Sequence, residues 1–255
     1  MTTPYYADEH VTLHHGRCED VLPSLEPVGL VITDPPYSEH VHGAARSSRM
    51  LTLSDRGGPR YGAATRRNVD LGFDALTPDL RAFCAEQFAR LARRWVLVFS
   101  DVESDHLWRD DLVAAGLDYV RTGAWVKVGS TPQFSGDRPA TGFEAITICH
   151  PAGRKHWNGG GKHAVWSHPI VLDRGRNGAR LHTTQKPHEL METLVGLFAD
   201  PGDVVLDPFA GSGTTLVAAK RLGCHAVGVE AEERYCEIAA RRLAQGVLDF
   251  GGGAA

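Results

Sequence analysis

The chain has 255 residues, a formal net charge of −4 and 42% hydrophobic residues, a length that suits one large domain or two small ones in an ordinary globular composition. Its longest apolar stretches, such as residues 95–99, are far too short to span a membrane, and the N-terminus lacks the basic-then-apolar pattern of a secretory signal. The five cysteines are scattered without any C-x-x-C spacing, which favours a reducing compartment over a disulfide framework, so we expect a cytoplasmic protein.

Taken in chain order, strand patterns alternate with helix patterns. Helices are predicted at 18–25, 77–94, 103–116, 186–199, 214–223 and 232–246, and strands at 11–16, 29–34, 95–100, 119–128, 144–150, 203–207 and 225–230. Such alternation predicts a mostly parallel sheet that is covered by helices on both faces, which is an α/β fold. Residues 38–70 and 151–182 are irregular, and the tail 249–255 is predicted to be disordered.

Both irregular segments are basic, although the whole chain is acidic. Residues 46–70 hold six arginines against two aspartates, and from residue 187 onward the balance turns acidic. A positive face on an acidic body suits a polyanion such as DNA, whereas two solvated loops would show the same pattern. The candidate DNA-binding residues are Arg46, Arg49, Arg66, Arg67, Arg154, Lys155, Arg174 and Arg176.

A second cluster combines histidines with a cysteine and two tryptophans. Its members are Cys149, His150, His156, Trp157, His163, Trp166 and His168. Their spacing matches no standard zinc site, so we expect no metal. We expect the histidines and the tryptophans to line a surface that faces DNA.

The stretch "VVLDPFAGSGTT" at 204–215 follows a predicted strand and opens a helix. Gly211 and Gly213 permit a tight turn, and Glu230 ends the next strand near the spacing of an acid that binds ribose hydroxyls. A phosphate-binding loop would need Lys–Ser/Thr after its last glycine. Asp207 at the mouth would repel a pyrophosphate but suit an ammonium group, which favours S-adenosylmethionine over a structural turn. The candidate cofactor-binding residues here are Asp207, Phe209, Gly211, Gly213, Thr214 and Glu230.

Together with this loop, "DPPY" at 34–37 resembles the amino-group DNA methyltransferases, which methylate adenine N6 or cytosine N4. The catalytic motif comes first and the cofactor loop near the C-terminus, as in the permuted β class of restriction-modification and phage enzymes. The stretch 182–195 resembles the tenth motif of that family, which makes Lys186 a further cofactor candidate, and 129–182 resembles a target-recognition insertion. The resemblance implies one Rossmann-like methyltransferase domain over 1–255, with 38–70 as a DNA-facing loop.

In this interpretation Asp34, Pro35, Pro36 and Tyr37 are the catalytic residues. The Asp34 carboxylate and the Pro35 carbonyl accept hydrogen bonds from the amine of a flipped base, both prolines fix φ, and Tyr37 stacks on the base. No Pro-Cys pair occurs, so we expect direct displacement at the methyl group without a covalent intermediate.

The resemblance favours adenine N6 as the target, because an acid at the first motif position is commoner in the adenine enzymes of the family. Cytosine N4 is the first alternative, and an RNA or protein-amide methyltransferase is the second. A non-catalytic DNA-binding module with the same fold is an alternative of another class. The expected partner is double-stranded DNA, and we expect the basic segments 46–70 and 151–182 to face the duplex from either side of Asp34. The sequence leaves open whether the protein forms a homodimer.

Overall fold

The computed structural model describes residues 3–36, 76–130, 139–171 and 185–245. Several predictions therefore lie outside the described residues: Tyr37, Arg46, Arg49, Arg66, Arg67, Arg174 and Arg176, the loop 38–70 and the tail 249–255. The described strands are β1 (Tyr6–Ala7), β2 (Val11–His15), β3 (Val28–Thr33), β4 (Ala92–Ser100), β5 (Asp118–Val128), β6 (Phe143–His150), β7 (Val165–Pro169), β8 (Val204–Asp207) and β9 (His225–Glu230). The described helices are α1 (Cys18–Val21), α2 (Pro78–Leu91), α3 (Asp105–Ala114), α4 (His188–Phe198), α5 (Thr214–Arg221) and α6 (Glu233–Ala244).

These strands form one sheet in the order β1-β2-β9-β8-β3-β4-β6-β5-β7. The central pairings from β2 to β4 are all parallel, while β6 runs antiparallel to both β4 and β5. The predicted α/β fold is confirmed. In such a sheet the carboxyl ends of parallel neighbours meet at one edge, which is where ligands bind. We call the edge formed by the ends of β3, β8 and β9 the carboxyl edge.

Helices cover both faces of the sheet. Successive residues of a strand point to opposite sides, so each central strand packs against helices on both faces. Along β4, Leu97 and Phe99 pack in the core cluster on the α4 and α5 face. Val96 and Val98 pack on the other face with α2 and α3. None of the helices in the described ranges is both long and apolar enough to cross a bilayer.

The helix predicted at 77–94 begins as expected and ends early. The Thr77 hydroxyl accepts a hydrogen bond from the Leu80 amide at 3.2 Å, which is the predicted N-cap. The helix ends at Leu91, and β4 starts at Ala92, which pairs with Val28 of β3. Arg94 then donates hydrogen bonds to Asp200 and Asp203 at 2.8 and 2.6 Å. Tertiary contacts therefore place in the sheet residues whose local propensity favours a helix.

The segment 151–182 is not wholly irregular, because β7 at Val165–Pro169 pairs in parallel with β5. This short strand was missed, since only Trp166 and its immediate neighbours show strand character. Two sheet strands, β6 and β7, lie inside the predicted insertion 129–182. A target-recognition role stays a prediction for the remainder of that interval.

The predicted DNA-facing surface of histidines and tryptophans is wrong for its largest members. Trp166 is buried in the core. His150 is also buried, and its ring makes an edge contact with Trp95 at 4.6 Å between centroids. Trp157 packs against Phe198 of α4. These side chains fill the space between the sheet and α4, so they are structural.

Arg154 and Lys155 are also not where the sequence analysis expected them. They follow β6, whose last residues pair with the beginning of β4 near Val96. Lys155 forms an exposed ion pair with Asp118 at 3.0 Å. The turn therefore lies at the amino ends of the parallel strands, opposite the carboxyl edge, and the predicted position beside Asp34 is wrong for both residues.

Candidate active site

Three acids end three neighbouring strands at the carboxyl edge. Asp34 directly follows β3, Asp207 ends β8 and Glu230 ends β9. The strand register aligns them, because Leu206 pairs with Val31 and Asp207 pairs with Gly228. The predicted catalytic acid and the two predicted cofactor acids thus come together from segments far apart in the sequence.

Asp207 is buried and ties three segments together. Its Oδ1 accepts hydrogen bonds from the Thr33 hydroxyl at 2.8 Å and from the Phe209 amide at 3.2 Å. Its Oδ2 accepts one from the Thr215 hydroxyl at 2.5 Å. Burial raises the pKa of this carboxyl to about 6 against the effect of these donors. Because Asp207 is buried and its Oδ1 already accepts two hydrogen bonds, the geometry favours an anchor of the loop over a direct partner for an ammonium group.

Glu230 holds the glycine loop from the neighbouring strand. Its Oε2 accepts a hydrogen bond from the Gly211 amide, and its Oε1 accepts one from the Glu232 amide, both at 2.8 Å. Burial raises the pKa of this carboxyl. Each carboxylate oxygen can accept a second hydrogen bond, so the group keeps acceptor capacity for a ligand hydroxyl.

Gly213 lets the loop turn into α5 close to α6. It adopts φ 77°, in the left-handed region, and a Cβ there would lie 2.9 Å from the Ala239 Cβ. Arg242 of α6 donates to the Ser212 carbonyl at 2.7 Å and to the Thr214 hydroxyl at 3.2 Å. Gly213 and Thr214, both predicted to bind the cofactor, therefore contribute to the packing that shapes the loop.

Lys186 lies at Asp34, the predicted catalytic acid, rather than at the glycine loop. Its ammonium group forms an ion pair with Asp34 Oδ2 and a second one with Glu144 Oε2, the latter at 3.0 Å. The Lys186 Nζ also lies 5.0 Å from the centre of the Phe99 ring. Lys186 is predicted from the sequence to bind the cofactor, whereas the structure pairs it with Asp34.

The charges around Asp34 form an alternating row. Lys127 of β5 binds Glu144 Oε1 at 2.6 Å, Glu144 of β6 binds Lys186, and Lys186 binds Asp34. Burial raises the pKa of Asp34 to about 6, although the Lys186 ammonium opposes the rise. Burial also acts on Glu144, but Lys186 and Lys127 outweigh it and lower the pKa of Glu144 to about 2.

One oxygen of Asp34 remains open. Oδ1 is buried and has no hydrogen-bond partner among the described residues, while Oδ2 faces Lys186. About a fifth of the side chain, 22%, stays accessible. A buried acceptor without a partner is costly unless a ligand donor completes it. Asp34 is therefore arranged to accept a hydrogen bond from outside.

A small pocket adjoins the end of β3, next to Asp34. Its lining includes Pro35 and Pro36 together with Phe99, Ser100 and Asp101 at the end of β4. The Ser100 hydroxyl and both carboxylate oxygens of Asp101 are buried without a hydrogen-bond partner in the described part of the chain. The space beside the two prolines thus carries additional acceptors.

Sequence reasoning missed five residues that shape this site: Thr33, Lys127, Glu144, Thr215 and Arg242. Glu144 had the clearest signal, because it lies in a strand that is otherwise apolar, "FEAITICH". A charged residue at such a position usually has a buried partner. Within the described ranges, no group of three or more His, Cys, Asp or Glu side chains is arranged to hold a metal ion.

Known proteins are similar to this chain in sequence. The type II methyltransferase M.HinfI of Haemophilus influenzae is 26% identical over 251 residues, which cover 91% of this chain and 68% of that protein. M2.DpnII of Streptococcus pneumoniae is 26% identical over 270 residues, covering 95% of this chain and 93% of that protein.

Solved structures show the same fold. The M1.HpyAVI–SAM complex superposes with a TM-score of 0.64 at 21% identity, covering 91% of this chain and 99% of that one. The cytosine-N4-specific PvuII DNA methyltransferase superposes with a TM-score of 0.68 at 16% identity, covering 98% and 90%.

A family model described as DNA methylase, for N6 and N4 enzymes, matches residues 113–241. This match spans half of the chain and includes the glycine loop, Lys186 and Glu144. The chain therefore belongs to the family of amino-group DNA methylases of the restriction-modification type.

Proposed function

We propose that this protein transfers a methyl group from S-adenosylmethionine to N6 of an adenine that has been flipped out of double-stranded DNA. The observation that carries the proposal is how the two carboxylate oxygens of Asp34 are partnered. One of its carboxylate oxygens pairs with Lys186, and the other is buried with no hydrogen-bond partner among the residues that the structure describes. It lies at the same edge as the loop held by Asp207 and Glu230.

The residues of the carboxyl edge fit the proposed cofactor. The loop 207–215 carries no lysine or arginine that would bind a phosphate. Asp34, Asp207 and Glu230 make the edge acidic, which suits a ligand with ribose hydroxyls and cationic groups and disfavours a nucleotide phosphate. When bound there, S-adenosylmethionine supplies an electrophilic methyl group on a sulfonium centre.

The protein's own contribution is to orient the amine. Its lone pair is delocalised into the base, so the amine is a poor nucleophile until both N–H groups are held. In our proposal Asp34 Oδ1 accepts one N–H and the Pro35 carbonyl accepts the other. The fixed φ of Pro35 and Pro36 keeps these acceptors in place. After methyl transfer the nitrogen carries an extra proton, and Asp34 is the nearest group that can take it.

Further parts of the proposal concern DNA. Tyr37 stacks on the flipped base, and Arg46, Arg49, Arg66, Arg67, Arg174 and Arg176 contact the phosphates. Stacking of this kind contributes about 1–3 kcal/mol per base. The acid at position 34 supports adenine over cytosine, because the resemblance associates an acid there with adenine N6.

The identity of the methylated base in the product DNA tests the proposal. Unmethylated genomic DNA is incubated with S-adenosylmethionine and the wild-type protein, the Asp34→Ala variant, or the Asp110→Ala variant, and its nucleosides are then analysed by mass spectrometry. Asp110 is an exposed acid on α3, so its replacement is the matched control. We expect N6-methyladenine with the wild-type and Asp110→Ala proteins and none with Asp34→Ala.

Other products would change the conclusion. N4-methylcytosine would move the target to cytosine and keep the mechanism. 5-Methylcytosine would overturn the mechanism, because ring-carbon methylation requires a covalent step. Full activity of Asp34→Ala would remove Asp34 from catalysis.

A further inference from the structure

The catalytic acid is not solvated like an ordinary surface carboxylate. It ends a row of four charges that alternate in sign: Asp34, Lys186, Glu144 and Lys127. The side chains of Lys186 and Glu144 are only 6% and 10% exposed. Lys127, at the far end, is 23% exposed and connects the row to solvent. Burying charged groups costs free energy, so such a row of ion pairs contributes little to the stability of the fold. Its presence therefore points to a role other than stability.

The contacts at Asp34 indicate that reason. Lys186 approaches Oδ2, which leaves Oδ1 without a partner among the described residues. An ion pair on one oxygen restrains rotation of the carboxylate, so the other oxygen keeps one direction. Phe99 beneath the ammonium group, with its ring centre 5.0 Å from Nζ, and Trp125 at 5.8 Å hold Lys186 in turn.

We propose that Lys186 is a positioning residue for Asp34: it holds Oδ2, directs Oδ1 at the target amine, and, in balance with Glu144, keeps the buried carboxylate in its acceptor form. This inference rests on the proposed role of Asp34 in methyl transfer. Lys186 acts through Asp34 and touches neither the base nor the methyl donor.

Four titratable or charged groups act on Asp34 from the elements around it. Burial raises its pKa, the Lys186 and Lys127 ammonium groups lower it, and Glu144 raises it again. Asp207 of β8 is close enough that the charge of Asp34 raises the pKa of Asp207, so the two acids disfavour each other's ionisation. Without Lys186, burial and two neighbouring acids would act on Asp34, and Lys127 is the cation among the described residues that would still oppose them.

The row of charges predicts that two variants shift the pKa of Asp34 in opposite directions. Lys186→Met removes the nearest cation, so Asp34 should lose its proton only at a higher pH than in the wild-type protein. Glu144→Gln removes the nearest anion and leaves Lys186 to Asp34, so Asp34 should lose its proton at a lower pH. A cofactor contact by Lys186 would instead weaken S-adenosylmethionine binding and leave the ionisation of Asp34 unchanged.

The experiment measures ionisation directly and then the reaction. The Asp34 carboxyl is followed by carbon-13 NMR in aspartate-labelled protein without DNA, with Asp34→Asn to assign its signal. The single-turnover methylation rate is then measured against pH at saturating DNA and S-adenosylmethionine. Calorimetry gives the affinity for S-adenosylmethionine. Lys220→Met is the matched control, because Lys220 forms an ion pair of similar length with Asp8, 2.6 Å, at the opposite edge of the sheet.

In the wild-type protein the Asp34 signal should titrate with a midpoint near 6. Lys186→Met should raise the midpoint by about 1–3 pH units, the usual effect of losing an opposite charge in contact. A midpoint near 8 would slow methyl transfer at pH 7 by about tenfold, and the rate would recover at alkaline pH. Glu144→Gln should lower the midpoint, Lys220→Met should not move it, and all variants should bind S-adenosylmethionine with wild-type affinity.

Unchanged midpoints in both variants would overturn the inference. The inference would also be overturned if Lys186→Met bound S-adenosylmethionine weakly while the Asp34 midpoint stayed unchanged, because this result would show that Lys186 contacts the cofactor. If Lys186→Met does not fold, Glu144→Gln decides by itself, with a lower midpoint in support and an unchanged midpoint against. If the wild-type protein methylates no DNA, the proposed function fails, and the NMR titration still tests the control of Asp34 by Lys186.

Discussion

Replacing Asp207 by asparagine should stabilise the protein at neutral pH and leave the glycine loop in place. Asparagine keeps one oxygen to accept hydrogen bonds from the Thr33 hydroxyl and the Phe209 amide. Its amide group can donate to the Thr215 hydroxyl, which accepts as readily as it donates. The substitution therefore keeps three contacts of the carboxylate and removes a buried negative charge.

The size of the effect follows from the ionisation of Asp207. Burial raises its pKa from 3.8 to about 6, and this rise corresponds to about 3 kcal/mol of folding free energy. The folded state holds the proton more tightly than the unfolded state. The contribution to stability is therefore complete below about pH 4, is lost as pH rises toward the folded pKa of about 6, and stays absent above it.

The assay compares the two proteins across pH. Urea unfolding followed by circular dichroism gives the free energy of unfolding of wild-type and Asp207→Asn proteins between pH 4 and pH 8. At pH 4 the two values should be similar. Above pH 7 the variant should be more stable by up to about 3 kcal/mol. A difference that stays flat or falls with pH would refute the burial reasoning.

Asp207→Ala separates the two roles of this acid. It leaves the Thr33 and Thr215 hydroxyls buried without their partner, which should cost about 2–4 kcal/mol of stability. If Asp207 only anchors the loop, Asp207→Asn keeps its affinity for S-adenosylmethionine while Asp207→Ala loses it. Equal loss in both variants, measured by calorimetry, would show that the charge itself binds the cofactor.

Two further predictions concern ligands. Glu230→Ala removes the acceptor for the Gly211 and Glu232 amides and should weaken S-adenosylmethionine binding by about tenfold or more in calorimetry. Alanine at the exposed neighbour Glu233 should leave the affinity unchanged, and equal affinities of the two variants would remove Glu230 from the cofactor site. Arg66→Glu combined with Arg67→Glu should lower DNA affinity and flatten its salt dependence in a fluorescence titration. The same charge change at Arg154 and Lys155, beyond the opposite edge of the sheet, should have little effect. Equal losses of affinity in the two double variants would contradict the placement of the DNA.

Local patterns in the sequence determined most of the fold and the position of the acids. The strand before Asp34 and the strand before Asp207 are both short apolar runs that end in an acid, and such runs predict buried parallel strands. Parallel neighbours present their carboxyl ends at one edge. The position of Asp34, Asp207 and Glu230 at strand ends therefore followed from local pattern, whereas their convergence depends on the strand order β9-β8-β3.

Local patterns failed where a distant partner decides the outcome. Arg94 lies in the sheet because Asp200 and Asp203 accept from its guanidinium group, and no local signal announces that pairing. Trp166 and His150 are predicted to lie on a surface because they occur in a cluster of histidines and tryptophans. The packing of α4 against the sheet buries both instead.

Tertiary structure alone decided the charge environment of Asp34, the proposed catalytic acid. Lys186 precedes α4, Glu144 lies in β6 and Lys127 in β5, and the sheet order brings all three to Asp34 at the end of β3. The sequence identified Asp34 as an acid at a strand end, which is a matter of local pattern. Which oxygen of that acid faces a cation depends on the contact of Asp34 with Lys186, more than 100 positions away along the chain. The charges that determine its ionisation are likewise set by proximity in space, because electrostatic interactions follow distance in space and not along the chain.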